Sequence, residues 1–178
     1  MHVGALETLA LIASLAAVVT DLRTRRIPNW LTAGASLAAL GLRVALAGDA
    51  AHLGSSLASA CLAGALGFGF FLVLSLVGVV GFGDTKLIGA VGLCVGWPLL
   101  LSAVTYTFLA GGVLAVGYAA ARGKVAAVAQ NLGRVHTLTA ERVDEEAKTL
   151  HVFPYAAAIA LGTLWAVLAR AWPSIALI

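Results

Sequence analysis

The stretch Leu87–Ala121, LIGAVGLCVGWPLLLSAVTYTFLAGGVLAVGYAAA, runs for 35 residues without one charged side chain. As a single helix it would be about 52 Å long at 1.5 Å per residue. That is too long for one crossing of a bilayer core of about 30 Å and slightly short for two. Trp97-Pro98 stands near its middle, and proline cannot continue a helical hydrogen-bond ladder, so a break is expected there. Charge decides the count. Two crossings return Arg122 and Lys124 to the side holding Arg23, Arg25, Arg26 and Lys86, in keeping with the cytoplasmic excess of Lys and Arg; one crossing would set them opposite. The reading is therefore two spans.

On either side, Val3–Thr20, Trp30–Ala47, Leu53–Val80 and Phe153–Trp172 each supply the roughly 20 mostly apolar residues that a spanning helix needs. Glu7 interrupts the first run. Arg43 lies near the end of the second, where a long side chain can snorkel to the interface. The first run is not a signal peptide, because its arginines follow it rather than precede it. The expectation is an all-α polytopic membrane protein of six transmembrane helices, one membrane-embedded domain over residues 1–178 with both termini outside the cytoplasm. Nine of the eleven Lys and Arg then share one face, leaving Arg43 and Arg170 toward the other. The segment at about 122–152 becomes a cytoplasmic loop. Within it Val125, Val128, Ala129, Leu132 and Val135 recur at helical spacing, as in a helix lying on the membrane surface.

Composition agrees. Of the 178 residues 61% are hydrophobic and 11% charged, against about 25% charged in soluble globular proteins. That excludes a water-soluble fold, and such apolar content excludes disorder. The net charge of +3 reports cytoplasmic loops rather than a nucleic-acid partner; the partner implied is the lipid bilayer. Cys61 and Cys94 sit in apolar runs without a CxxC, so they read as two small buried hydrophobes rather than a zinc site or disulfide. His2, His52, His136 and His151 have no metal-ligand spacing, and no metal or other cofactor is expected.

Two carboxylates fall at helix ends on one face. Asp21 closes the first span in D-L-R-T-R-R-I-P-N, and Asp84 opens the fourth in G-F-G-D-T-K. Acids at membrane borders are costly and so are functional candidates. A border Asp can also simply face headgroups and water; two on one face, each in a distinctive local sequence, favour the functional reading. Gly81 and Gly83 allow a sharp turn and close backbone approach before the helix, and Asp84 can cap its free N–H groups. Ordinary small-residue packing is the competing account of these two glycines, since the chain holds 20. The two helix dipoles act oppositely, favouring negative charge at an N-terminus and disfavouring it at a C-terminus. One ionised and one protonated carboxyl is what an aspartic protease uses. Lys86 reads as a supporting residue that offsets charge beside Asp84 or meets headgroups; Arg23, Arg25 and Arg26 anchor the loop and set topology.

D-x-x-x-x-R-I-P-N followed by G-x-G-D-x-K closely resembles the type IV prepilin peptidases, membrane aspartic proteases of the GxGD class. Phe153–Gly162, F-P-Y-A-A-A-I-A-L-G, is similar to a further segment of that family, with Ala156 where glycine is usual. The resemblance spreads from the first span to the sixth. It implies Asp21 and Asp84 as the catalytic pair, with Pro28, Asn29, Pro154 and Tyr155 in supporting roles beside Gly81, Gly83 and Lys86. It implies cleavage of leader peptides from prepilin or pseudopilin substrates at the cytoplasmic face of the bacterial cytoplasmic (inner) membrane. Large members carry an insert, often with paired CxxC motifs, that is linked to N-methylation. Only seven residues separate Asp21 from Asn29 here. The chain thus looks like the short form of Tad/Flp-type pilus systems, without methyltransferase activity. The rival readings are a small proton-coupled membrane transporter using Asp21 and Asp84 as a relay, and a non-catalytic assembly factor.

Overall fold

The computed structural model describes residues 4–121, 155–172 and 174. The loop expected at about 122–152, its surface helix and Pro154 lie outside the described residues. Six helices and no strand make up the described part: α1 (Ala5–Thr24), α2 (Asn29–Leu46), α3 (Ala50–Leu76), α4 (Phe82–Val95), α5 (Leu99–Ala121) and α6 (Tyr155–Ala171). The protein is all-α and polytopic, as composition demands. Among the described residues α1, α3 and α5 are each long and apolar enough to cross a membrane, and α6 is a shorter apolar helix. The uncharged 35-residue run divides at Gly96-Trp97-Pro98, as expected of the proline. Gly96 there adopts φ +71°, open to glycine without a Cβ clash.

α4 has 14 residues, about 21 Å of helix against a hydrocarbon core of about 30 Å. The turn before Gly81 and the Gly96–Pro98 break carry the chain further at either end. α4 is also the most enclosed element, buried from Asp84 through Val95 except at Lys86 and Leu93. It rests chiefly on α3 and α2, with α1 and α6 closing its other side, and α5 lies along α6.

Large apolar side chains such as Ile12, Leu37, Val73 and Val113 point outward, while the interior is rich in alanine and glycine. This is the pattern expected in lipid, where burying a large apolar group gains nothing and close backbone approach gains dispersion contact. Gly92 shows it at α3–α4: a Cβ there would stand 2.7 Å from the Ala63 carbonyl oxygen. At α5–α6, Gly162 lies directly against the Thr107 backbone, with no room for a Cβ.

Helix direction alternates. Arg170 near the end of α6 pairs with Glu7 in the first turn of α1 at 2.9 Å, fixing the end of the bundle remote from Asp21. Glu7 also accepts from the Gly4 amide at 2.8 Å. The ends that gather at the opposite pole are the C-termini of α1, α3 and α5 and the N-termini of α2, α4 and α6.

Candidate active site

Asp21 is carried inward by the spacing of α1. Ala10, Ala13, Ser14 and Ala17 form its buried stripe, and Asp21 lies four residues beyond Ala17 on the same face. α1 runs to Thr24, so Asp21 sits in the last turn rather than after it. Arg25 ends the helix in the left-handed region, φ 53°, and its N–H bonds the Asp21 carbonyl at 2.8 Å. The Arg25 charge acts on the Asp21 carboxylate.

Asp84 sits in the first turn of α4, with Gly81 as N-cap. It is 8% exposed and its Oδ1 is buried with no hydrogen-bond partner among the described residues. Gly81 has no side chain with which to cap the helix, but Asp84, three residues on, accepts a hydrogen bond from the Gly81 backbone N–H and so fills the capping role the sequence suggested. Its carboxylate turns back on Gly81: a Cβ there would lie 3.0 Å from Asp84 Oδ2. Gly83 has a different neighbour, since its Cβ would meet the Ile27 Cβ at 3.2 Å. Both glycines serve close approach. Burial and the helix dipole act in opposite senses on Asp84.

The fold brings the two acids together: the charge of Asp21 acts on Asp84, and that of Asp84 acts on Tyr155 at the start of α6. Tyr155 begins a buried stripe continued by Ile159, Thr163 and Ala166, and its ring meets Phe71 edge-on at 6.2 Å between centroids. Thr85 completes the link, its hydroxyl donating to the Phe71 carbonyl at 3.2 Å. The sequence reading did not single out Thr85, although an uncharged polar residue beside a buried acid is a detectable signal.

Pro28 is the N-cap of α2, with φ −65°, and Asn29 is its first residue. Lys86 Nζ donates to Asn29 Oδ1 at 2.8 Å. Lys86 thus bridges the two motifs on the side of α4 away from Asp84, rather than neutralising Asp84. Cys94 is buried as expected but Cys61 is exposed, opening on a groove of about 560 Å³ lined by α2, α3 and α4. Among the described residues no three His, Cys, Asp or Glu side chains cluster as metal ligands.

Arg43 overturns its reading as a snorkelling side chain. It is 8% exposed and turned into the protein, donating from Nε to Leu93 O at 3.2 Å and from Nη2 to Cys94 O at 2.8 Å. Its Nη1 donates to Ser56 Oγ at 2.8 Å and to Ser56 O at 3.2 Å. The physical reason is the early end of α4, which leaves buried carbonyls that only a long donor side chain reaches.

These features define a polytopic helical membrane protein with two interacting carboxylates at one pole of its bundle. The chain belongs to the type IV leader peptidase family, whose model matches residues 8–116. Membership makes it a leader-peptidase-type protease acting on prepilin-like substrates. The matched span includes Asp21, Pro28, Asn29 and Gly81–Lys86, and stops short of Tyr155. No match was found among curated proteins or solved structures.

Proposed function

We propose that this chain is an aspartic endopeptidase in which Asp21 and Asp84 together cleave the leader from Flp-like type IV prepilins or pseudopilins. Cleavage takes place at the cytoplasmic face of the bacterial cytoplasmic membrane. The observation that carries the reading is the Asp84 carboxyl, buried with an unpartnered oxygen and within electrostatic reach of Asp21. Such an oxygen is costly unless something is to be bound there.

In the reaction one carboxylate takes a proton from water as the water oxygen bonds to the scissile carbonyl carbon. The other carboxyl donates its proton to the carbonyl oxygen, giving a neutral tetrahedral diol. Collapse breaks the C–N bond and the departing amine takes the proton held by the first carboxyl. The second recovers its own from the diol hydroxyl. The pair ends as it began and titrates as a unit. No cofactor enters. Asp21, Asp84 and Tyr155 surround the reacting groups; Gly81, Gly83, Pro28, Asn29 and Lys86 hold the backbone turns, and Pro154 precedes Tyr155.

The cytoplasmic face is inferred from the nine basic residues that share the site's side in the two-span reading of Leu87–Ala121. The short link between Asp21 and Asn29 and the absence of a CxxC favour peptidase activity without methylation. Placement of both acids in terminal turns favours hydrolysis over a transmembrane proton relay, which needs acids at mid-span.

Co-expression with a Flp-type prepilin tests the proposal. The pilin should shift to the mass of the leaderless chain, with an unmethylated N-terminus by mass spectrometry. An unprocessed prepilin beside an abundant, membrane-inserted enzyme would remove the reading.

A further inference from the structure

We propose that Arg43 is a positioning residue: from the end of α4 remote from the site, it fixes the axial register of that helix and so the place of Asp84. The last carbonyls of a helix have no partner within it. At the end of α4 the Cys94 carbonyl is closed off from solvent, Cys94 being 1% exposed and Val95 9%, while Leu93 is half-buried. Arg43 supplies Leu93 O and Cys94 O from one guanidinium, and Ser56 of α3 holds that guanidinium from the other side. Its positive charge also faces the negative end of the α4 dipole.

The same α2 helix holds the near end of α4 through Asn29 and Lys86. α4 is therefore gripped at both ends by one parallel neighbour. Between them α4 lies close on α3, with Gly92 against the Ala63 carbonyl, the Leu93 side chain over Gly64 and the Phe68 side chain over Gly89, so a shift at the far end of α4 has to repack this seam as well. Asp84 stands ten residues from Cys94, about 15 Å along a stiff helix, so an axial slip at one end is passed whole to the other.

The inference rests on the catalytic reading of Asp84, so its test carries a readout independent of cleavage. The full-length chain is reconstituted in nanodiscs as wild type, Arg43→Lys and Arg43→Met. Turnover of a Flp-type prepilin is measured per folded molecule. In parallel, with Cys61→Ser and Cys94→Ala, an Asp21→Cys, Asp84→Cys pair reports spacing through its rate of linking by a short bis-maleimide. Arg43→Met should lower kcat by roughly a hundredfold, the cost of about 1 Å of misplacement, with KM little changed and linking slowed. Arg43→Lys keeps the charge but cannot span both carbonyls and Ser56, so it should fall between. Should Arg43→Met fail to accumulate, Arg43→Lys decides.

Wild-type kcat and linking rate in the Arg43 variants, with only folded yield reduced, would overturn the proposal and leave the protease reading standing. Slowed linking in a protein that cleaves no prepilin even as wild type would sustain the clamp and overturn the catalytic reading instead.

Discussion

Gly83 lies against Ile27, so that a Cβ on the glycine would come within 3.2 Å of the isoleucine Cβ. One residue sits beside Asp84 and the other begins the I-P-N turn, so the two sequence motifs meet backbone to side chain. Gly83→Ala forces the turn and the helix start apart by a few tenths of an ångström. Because about 1 Å of misplacement costs on the order of a hundredfold, cleavage should fall by roughly tenfold, and further in Gly83→Val. Steady-state kinetics on purified variants check this; full activity in Gly83→Val would mean the contact does not place Asp84.

Gly81→Ala should behave differently from a folding mutation. Gly81 has φ −72° and ψ 149°, which alanine adopts freely. The new methyl would meet no backbone, only Asp84 Oδ2 at 3.0 Å. The carboxylate must rotate, and little else changes. Expression and thermal stability should match the wild type while cleavage drops by about ten- to a hundredfold. Equal loss of stability and activity would contradict it.

The helical class was legible in the sequence because composition leaves no alternative, and the α4–α5 break because proline has one mechanical effect. Asp21 and Asp84 were legible as candidates since acids are rare in so apolar a chain. What could not be read was which apolar face is inside. In lipid both faces are hydrophobic and only residue size distinguishes them, so the Ala10–Ala17 stripe that aims Asp21 inward carries no hydropathy signal. Arg43 was misread for a related reason: its position near a helix end suits both snorkelling and capping, and only the early end of α4 separates the two.

Glycines in contact should differ from glycines in open space. Gly92→Ala places a methyl 2.7 Å from the Ala63 carbonyl oxygen, a backbone atom that cannot step aside. Overpacking of this kind costs typically about 1–3 kcal/mol, and α3 and α4 should separate, lowering Tm by several degrees. Gly34→Ala and Gly41→Ala, with nothing within 4 Å of the new Cβ, should leave Tm unchanged or raise it, since alanine is the better helix former. Thermal unfolding in one detergent compares all three.

Topology follows from charge. Arg23, Arg25, Arg26 and Lys86 stand at the pole of the two acids, while Arg43 and Arg170 stand toward the other. Reporter fusions after Lys124 should therefore read as cytoplasmic, and fusions after Asp49 as external. The reverse pattern would place the acids outside and remove them from any cytoplasmic leader.

The aspartate pair gives the sharpest expectation. Asp21→Asn and Asp84→Asn keep the size and one acceptor oxygen but can neither accept the proton of the attacking water nor pass it to the leaving amine. Each should abolish leader removal while the protein still inserts and accumulates. Asp84→Asn should even match or exceed the wild type in thermal stability, because a neutral amide is less costly to bury than an unpartnered carboxylate oxygen. The double variant should be scarcely worse than either single one, since groups acting as one catalytic unit are grossly non-additive. Asp21→Glu should also fail or nearly fail: one added methylene moves the carboxyl by about 1 Å, enough to cost on the order of a hundredfold. Asp49 offers the contrast, an acid whose side chain accepts from the His52 amide at 2.6 Å to cap α3 at the far pole. Asp49→Asn keeps that acceptor and should process prepilin normally. Gel-shift measurement at matched protein levels reads the whole series. Wild-type cleavage by either Asn variant would take that aspartate out of the reaction and return weight to a relay or assembly role.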